Sequence, residues 1–156
     1  MCIRDRVRTS EIPVLVIKEQ IPDLDIKKVV FGFDFQIESV KAYHKAINFL
    51  NALKVEVHIV HVNRPGLNFI STKEIEEEID KFLRVAHHNN LPTNIETHTI
   101  SDYYVETGIY NFAKKIDADL IAVATHGRSG LTHFFKGSIG EDIANHAQMP
   151  VITFKI

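Results

Sequence analysis

Hydrophobic positions change period several times along the chain, and each change marks an element. Lys28-Val29-Val30-Phe31-Gly32-Phe33 is an almost unbroken apolar run, as expected of a strand buried on both faces of a sheet. From about Glu38 to Leu53 the spacing becomes helical, with Val40, Tyr43, Ala46, Ile47 and Leu50 on one stripe. Val55 to Val62 predicts a second strand. Asn63 to Ile70 holds Pro65 and Gly66 and reads as loop. Ser71-Thr72-Lys73-Glu74 then has the pattern of a capping box and opens an acidic helix that runs to about His88. Its Ile75, Ile79, Phe82 and Leu83 are expected inside, leaving Glu76, Glu77, Asp80 and Lys81 in water.

Asn94 to Ile100 alternates as a third strand, Tyr104 to Ile116 is helical, and Leu120 to Ala124 is a short all-apolar strand that belongs in the middle of a sheet. A loop from Thr125 to Lys136 leads to Gly137 and to a second capping pattern, Ser138-Ile139-Gly140-Glu141, at the start of the last helix. Pro150 to Lys155 closes the series, and a proline at its first position suits a sheet edge. Strands and helices alternate throughout, which predicts an α/β fold with a mostly parallel sheet and helices on both faces.

The beginning of the chain stands apart. Ile12-Pro13-Val14-Leu15-Val16-Ile17-Lys18 echoes Met149-Pro150-Val151-Ile152-Thr153-Phe154-Lys155: a hydrophobe, a proline, a β-favouring run, then lysine. Residues 7–18 are therefore expected to be the last strand of a truncated preceding repeat, 19–25 a linker containing Pro22, and 26–156 the domain proper. Met1-Cys2-Ile3-Arg4-Asp5-Arg6 resembles a translated sequencing adapter and is set aside from the fold. The stub from Val14 to Ile17 is expected to pair antiparallel with Val151 to Phe154, whose edge would otherwise offer unpaired N–H and C=O groups to a second copy.

Composition narrows the partners. The chain has 156 residues, 45% of them hydrophobic, enough for one domain with its own core. No apolar run approaches the roughly 20 residues that cross a bilayer, and no signal-like start is present, so a cytoplasmic protein without membrane contact is expected. Eighteen basic against 20 acidic side chains, with no basic block, argue against nucleic acid. A single cysteine, Cys2, excludes internal disulfides, thiolate metal sites and a dithiol redox pair.

Ligands of open parallel sheets bind beyond the carboxyl ends of the strands. That points to Asp34, to Val62 with Asn63, and to the segment from Ala124 to Ser138. The last contains Thr125-His126-Gly127-Arg128-Ser129-Gly130 and, six residues later, Gly137-Ser138 at a helix start. Glycines admit a phosphate to the backbone, and free N–H groups at a helix start favour anions. The same residues have plain structural uses: Ser138 can cap the helix with Glu141, Gly127 and Gly137 can serve turns, and Asp34 can cap the helix after it. His126 reads as a loop residue rather than a catalyst. His87 and His88 fall at a solvated helix end, and His58 and His61 have no carboxylate cluster beside them in the sequence, so no protein-bound metal is expected. No nucleophile elbow, Walker-type phosphate loop or dinucleotide fingerprint occurs.

Ala124-Thr125-His126-Gly127, nine residues, Gly137-Ser138, an apolar helix and Pro150-Val151-Ile152 resemble the phosphate loop and closing strand of the universal stress protein family. Phe33-Asp34-Phe35 is similar to that family's first-strand aspartate, and His61-Val62 to the end of its second strand. The resemblance implies a five-stranded parallel sheet in the order 3-2-1-4-5. It also implies adenine-nucleotide binding in some members, with ATP, and Mg²⁺ alongside it, as cofactor. Asp34 would face the adenine and ribose, and the main chain of Val62 would contact adenine. Gly127, Gly137 and Ser138 would wrap the phosphates, and Ala124, His126 and Ile139 would belong to the same cofactor-binding set. The family motif has glycine where Ala124 stands, so its methyl group is expected to project toward ribose or phosphate. The reading that follows is a non-catalytic stress-response module of a tandem protein, partnered by a missing N-terminal repeat or by itself through the last strand. A structural repeat that binds no nucleotide and a slow nucleotide hydrolase remain as alternatives.

Overall fold

The computed structural model describes residues 6–7, 9–66, 69–125 and 139–155. Its strands are β1 (Val14–Val16), β2 (Lys28–Gly32), β3 (Glu56–Asn63), β4 (Ile95–Ser101), β5 (Leu120–Thr125) and β6 (Val151–Lys155). Its helices are α1 (Val40–Ala52), α2 (Thr72–His87), α3 (Val105–Lys115) and α4 (Ile139–His146). One sheet holds all six strands in the order β1-β6-β5-β2-β3-β4. β2 to β6 pair in parallel, and β1 runs antiparallel on β6, with Val14 opposite Thr153 and Val16 opposite Val151. The sheet is thus mixed and six-stranded: five parallel strands in the expected order, with the expected antiparallel pairing of the N-terminal stub adding the sixth. The edge position suggested by Pro150 is corrected: β1 lies outside β6, and the Pro150 carbonyl accepts the Ile121 N–H at 3.0 Å.

β5 is central because every residue from Leu120 to Ala124 can be buried. Leu120, Ala122 and Ala124 face the cluster under α1 and α2, whereas Ile121 and Val123 face the one under α3 and α4. At the amino end of the sheet the Asp119 carboxylate accepts the N–H groups of Lys27 (3.0 Å) and Lys28 (2.9 Å), and Lys28 Nζ donates to the Ile116 carbonyl at the end of α3. Gly108 lets α3 lie close on β3: a Cβ there would stand 3.0 Å from Val62 Cγ1 and 3.1 Å from Asp102 Cβ.

α2 follows its sequence pattern closely. Ser71 Oγ accepts the Glu74 N–H, the Glu74 carboxylate accepts the Ser71 N–H at 2.8 Å, and Ile75, Ile79 and Phe82 are buried while Leu83 is half-buried. Glu76, Glu77, Asp80 and Lys81 are exposed. α1 begins at Val40, the first residue of its apolar stripe, rather than at about Glu38, because a 3₁₀ turn over Ile37–Ser39 precedes it. The chain reaches that turn through Phe35, whose φ of 57° is left-handed and costs a bulky residue on the order of 1–3 kcal/mol. Burial offsets this cost. Phe35 is 4% exposed, and it packs edge-on against Phe33 (5.6 Å) and Phe82 (5.5 Å), which in turn meets Tyr43 at 5.1 Å.

Candidate functional site

Parallel pairing brings Asp34, Val62 and Ala124 to the carboxyl end of the sheet, just past β2 and at the ends of β3 and β5. Asp34 is buried, and its Oδ1 accepts the Gln36 N–H at 3.1 Å. It closes a turn and does not cap the helix after it, whose N-cap is Ser39.

Val62 is buried, and alternation along β3 sets the direction of its backbone groups. In a parallel strand, alternate residues direct both backbone groups toward the same neighbour. The Val60 carbonyl accepts from Phe33 N–H at 3.1 Å, so the N–H and C=O of Val62 point to that same side, beyond the last residue of β2. The next residue, Asn63, is buried and donates through Nδ2 to the Ile70 carbonyl at 3.0 Å, anchoring the chain that leads into α2.

Ala124 corrects an expectation. Its parity along β5 is that of Leu120 and Ala122, so the methyl belongs to the core with Phe31, Phe33 and Phe154 and is 1% exposed. Ile139 is the first residue of α4, which returns between the parallel β5 and β6 and so begins at the same end of the sheet. His126, Gly127, Gly137 and Ser138, with the second capping pattern, lie outside the described residues.

Two expectations about histidines are also corrected. His87 is not simply solvated: its Nε2 is 2.7 Å from the Tyr43 hydroxyl, and the two rings meet edge-on. His58 does have carboxylates beside it, Glu56 at 2.6 Å and Glu96 at 3.6 Å, and it stacks on His98. The signal was an acid-x-His triplet occurring twice, Glu56-Val57-His58 and Glu96-Thr97-His98, which the β3–β4 register sets side by side with His58 opposite Glu96.

Burial lowers the pKa of His61, of His87 (with repulsion from His44) and of His98 (with repulsion from His58) below the usual 6.5. In the unfolded chain each takes up a proton more readily. Their contribution to stability is therefore complete above about pH 6.5 and declines as pH falls below it toward the folded-state values. We expect the thermal midpoint to be lower at pH 5.5 than at pH 7.5; equal midpoints would show that these rings are not held neutral by the fold.

Comparison with known proteins agrees with this architecture. The universal stress protein family matches residues 25–155. A universal stress protein of Methanocaldococcus jannaschii is 27% identical over 83% of this chain and 82% of its own. One from Mycobacterium bovis is 29% identical over 94% of this chain, which spans only 52% of that protein. Among solved structures, a universal stress protein from Archaeoglobus fulgidus superposes with a TM-score of 0.66 at 20% identity, covering 97% of this chain and 52% of the other. Another, in complex with cAMP, gives 0.57 at 19% identity over 81% of this chain and 95% of its own. No helix among the described residues is long and apolar enough to cross a membrane.

Proposed function

Because the chain belongs to the universal stress protein family, we propose that it binds an adenine nucleotide at the carboxyl ends of β2, β3 and β5 and acts as a binding module without catalysis. The observation that carries this reading is the Val62 backbone, whose N–H and C=O face past the end of β2. A donor and an acceptor so placed suit the edge of a flat heterocycle. Structures of the same fold in complex with cAMP and with dAMP add support. Asp34, just past β2, serves the ribose; Gly127, Gly137 and Ser138 serve the phosphates, and Mg²⁺ accompanies ATP if a triphosphate is the ligand. With the Ala124 methyl in the core, the alanine no longer obstructs this pocket.

Calorimetric titration with ATP, AMP and cAMP tests the proposal. We expect at least one to bind, Asp34→Ala to weaken it by about tenfold or more through loss of a charge-assisted hydrogen bond, and phosphate release to stay at background. Absence of binding by all three would leave the structural-repeat reading, and phosphate release above background would favour the hydrolase.

A further inference from the structure

The cluster on β3 and β4 lies toward the amino half of both strands, away from the proposed nucleotide pocket. Among the described residues, His58, Glu96 and His98 are the one set of three histidine, cysteine or acidic groups whose ligand atoms all lie within 4.8 Å of one another. His58 Nδ1 is 2.9 Å from His98 Nε2, and Glu96 Oε2 is 3.6 Å from the first and 3.7 Å from the second. A triangle with those sides has its circumcentre about 2 Å from each corner, which matches zinc–nitrogen and zinc–oxygen bonds of about 2.0–2.2 Å.

We propose that His58 Nδ1, His98 Nε2 and the Glu96 carboxylate form a binding site for a zinc-like divalent cation, with water completing a tetrahedron. The second nitrogen of His58 is held as metal-bound imidazoles usually are. Its Nε2 lies 2.6 Å from Glu56 Oε1, and a carboxylate can only accept, so Nε2 carries the proton and Nδ1 presents its lone pair. The His98 ring rests on Phe112, with centroids 4.8 Å apart, and on His58 at 5.1 Å, which fixes its plane. The His58 side chain is 8% exposed and that of Glu96 60%, so the cation would enter from the Glu96 side. A surface depression lined by Glu56, Glu96, Asn51 and Asn94, with Lys54 also on its wall, opens there.

The donor set of two imidazoles and one carboxylate suits zinc better than calcium or magnesium, which prefer oxygen alone. Without a cation, one proton bridging the two ring nitrogens would satisfy the same pair, and the experiment must separate these states.

Chelator-treated chain is titrated with ZnCl₂ by calorimetry and with Co²⁺ by visible absorption. One equivalent should bind, and Co²⁺ should show the intense bands of a tetrahedral site. Glu96→Gln and His98→Gln should each weaken binding at least tenfold, and Glu56→Gln should weaken it about 10–100-fold while leaving all three ligands in place. Glu96 and Glu56 are exposed enough for their amide variants to keep the fold, which an unchanged circular dichroism spectrum would verify. Failure to take up either ion, or binding undiminished in Glu96→Gln and in His98→Gln, overturns the proposal.

Discussion

Replacing Phe82 with alanine is expected to lower the unfolding free energy by about 3–5 kcal/mol, the range for truncating a fully buried aromatic. Phe82 is 0% exposed and its ring meets Phe33 (5.2 Å), Phe35 (5.5 Å) and Tyr43 (5.1 Å). The loss should not stop at stability. Phe35 holds its left-handed backbone only while its ring is packed, and it is the neighbour of Asp34. Phe82→Ala removes one wall of that packing from a helix that does not itself carry the candidate site. We therefore expect weaker nucleotide binding together with the lowered denaturation midpoint. Glu77→Lys, on the exposed face of the same helix, should change neither by more than about 0.5 kcal/mol. Chemical denaturation and calorimetry on the two variants decide the matter. A Phe82→Ala chain as stable as the parent would refute the packing account, and undiminished binding in a destabilised one would refute its extension to Asp34.

Deleting residues 7–18 should convert the chain into a self-associating species. β1 covers the outer side of β6, burying Val16, and the contact is extended by Lys155 paired with Glu11 and by Lys18 Nζ donating to the Asn145 carbonyl. Removal exposes the backbone edge of Val151-Ile152-Thr153-Phe154, whose side chains are all β-branched or aromatic and which contains no charge. An edge of that kind templates pairing with another strand. Light scattering on the intact and shortened chains should show a shift to dimers or larger species on deletion. A shortened chain of unchanged oligomeric state and unchanged melting temperature would mean that β1 is a passive cover.

The elements were legible because local pattern and tertiary burial agree. β5 is apolar from Leu120 to Ala124 and sits where both faces are covered; α2 has its capping box and its stripe in one reading frame. What escaped was decided by pairing. The repeated acid-x-His triplet marks His58 and His98 alike, but they stand 40 residues apart, and only the β3–β4 register makes them neighbours. Ala124 was misread for a different reason: comparison with a motif suggested an intruding methyl, whereas simple alternation from Leu120 through Ala122 assigns it to the core. The placement of Asp34 and Val62 followed from the general rule for parallel sheets, but the Asp34 hydrogen bond depended on the turn made by Phe35, and a left-handed phenylalanine has no sequence signature.

The neighbours of β2 have a consequence in time. β3 follows it after one helix, and the two can pair as soon as both exist. β5, on its other side, places Leu120 against Val29, and the Asp119 clasp on Lys27 and Lys28 joins the same distant segments. During synthesis at about 5–20 residues per second, the Val29 edge therefore waits roughly 5–20 s for its partner to be made. Over that interval a strand that ends up in the middle of the sheet is an open one, so the hazard of wrong pairing falls on the growing chain, and the ribosome's pace, as much as the finished contacts, sets how often the correct strand arrives first.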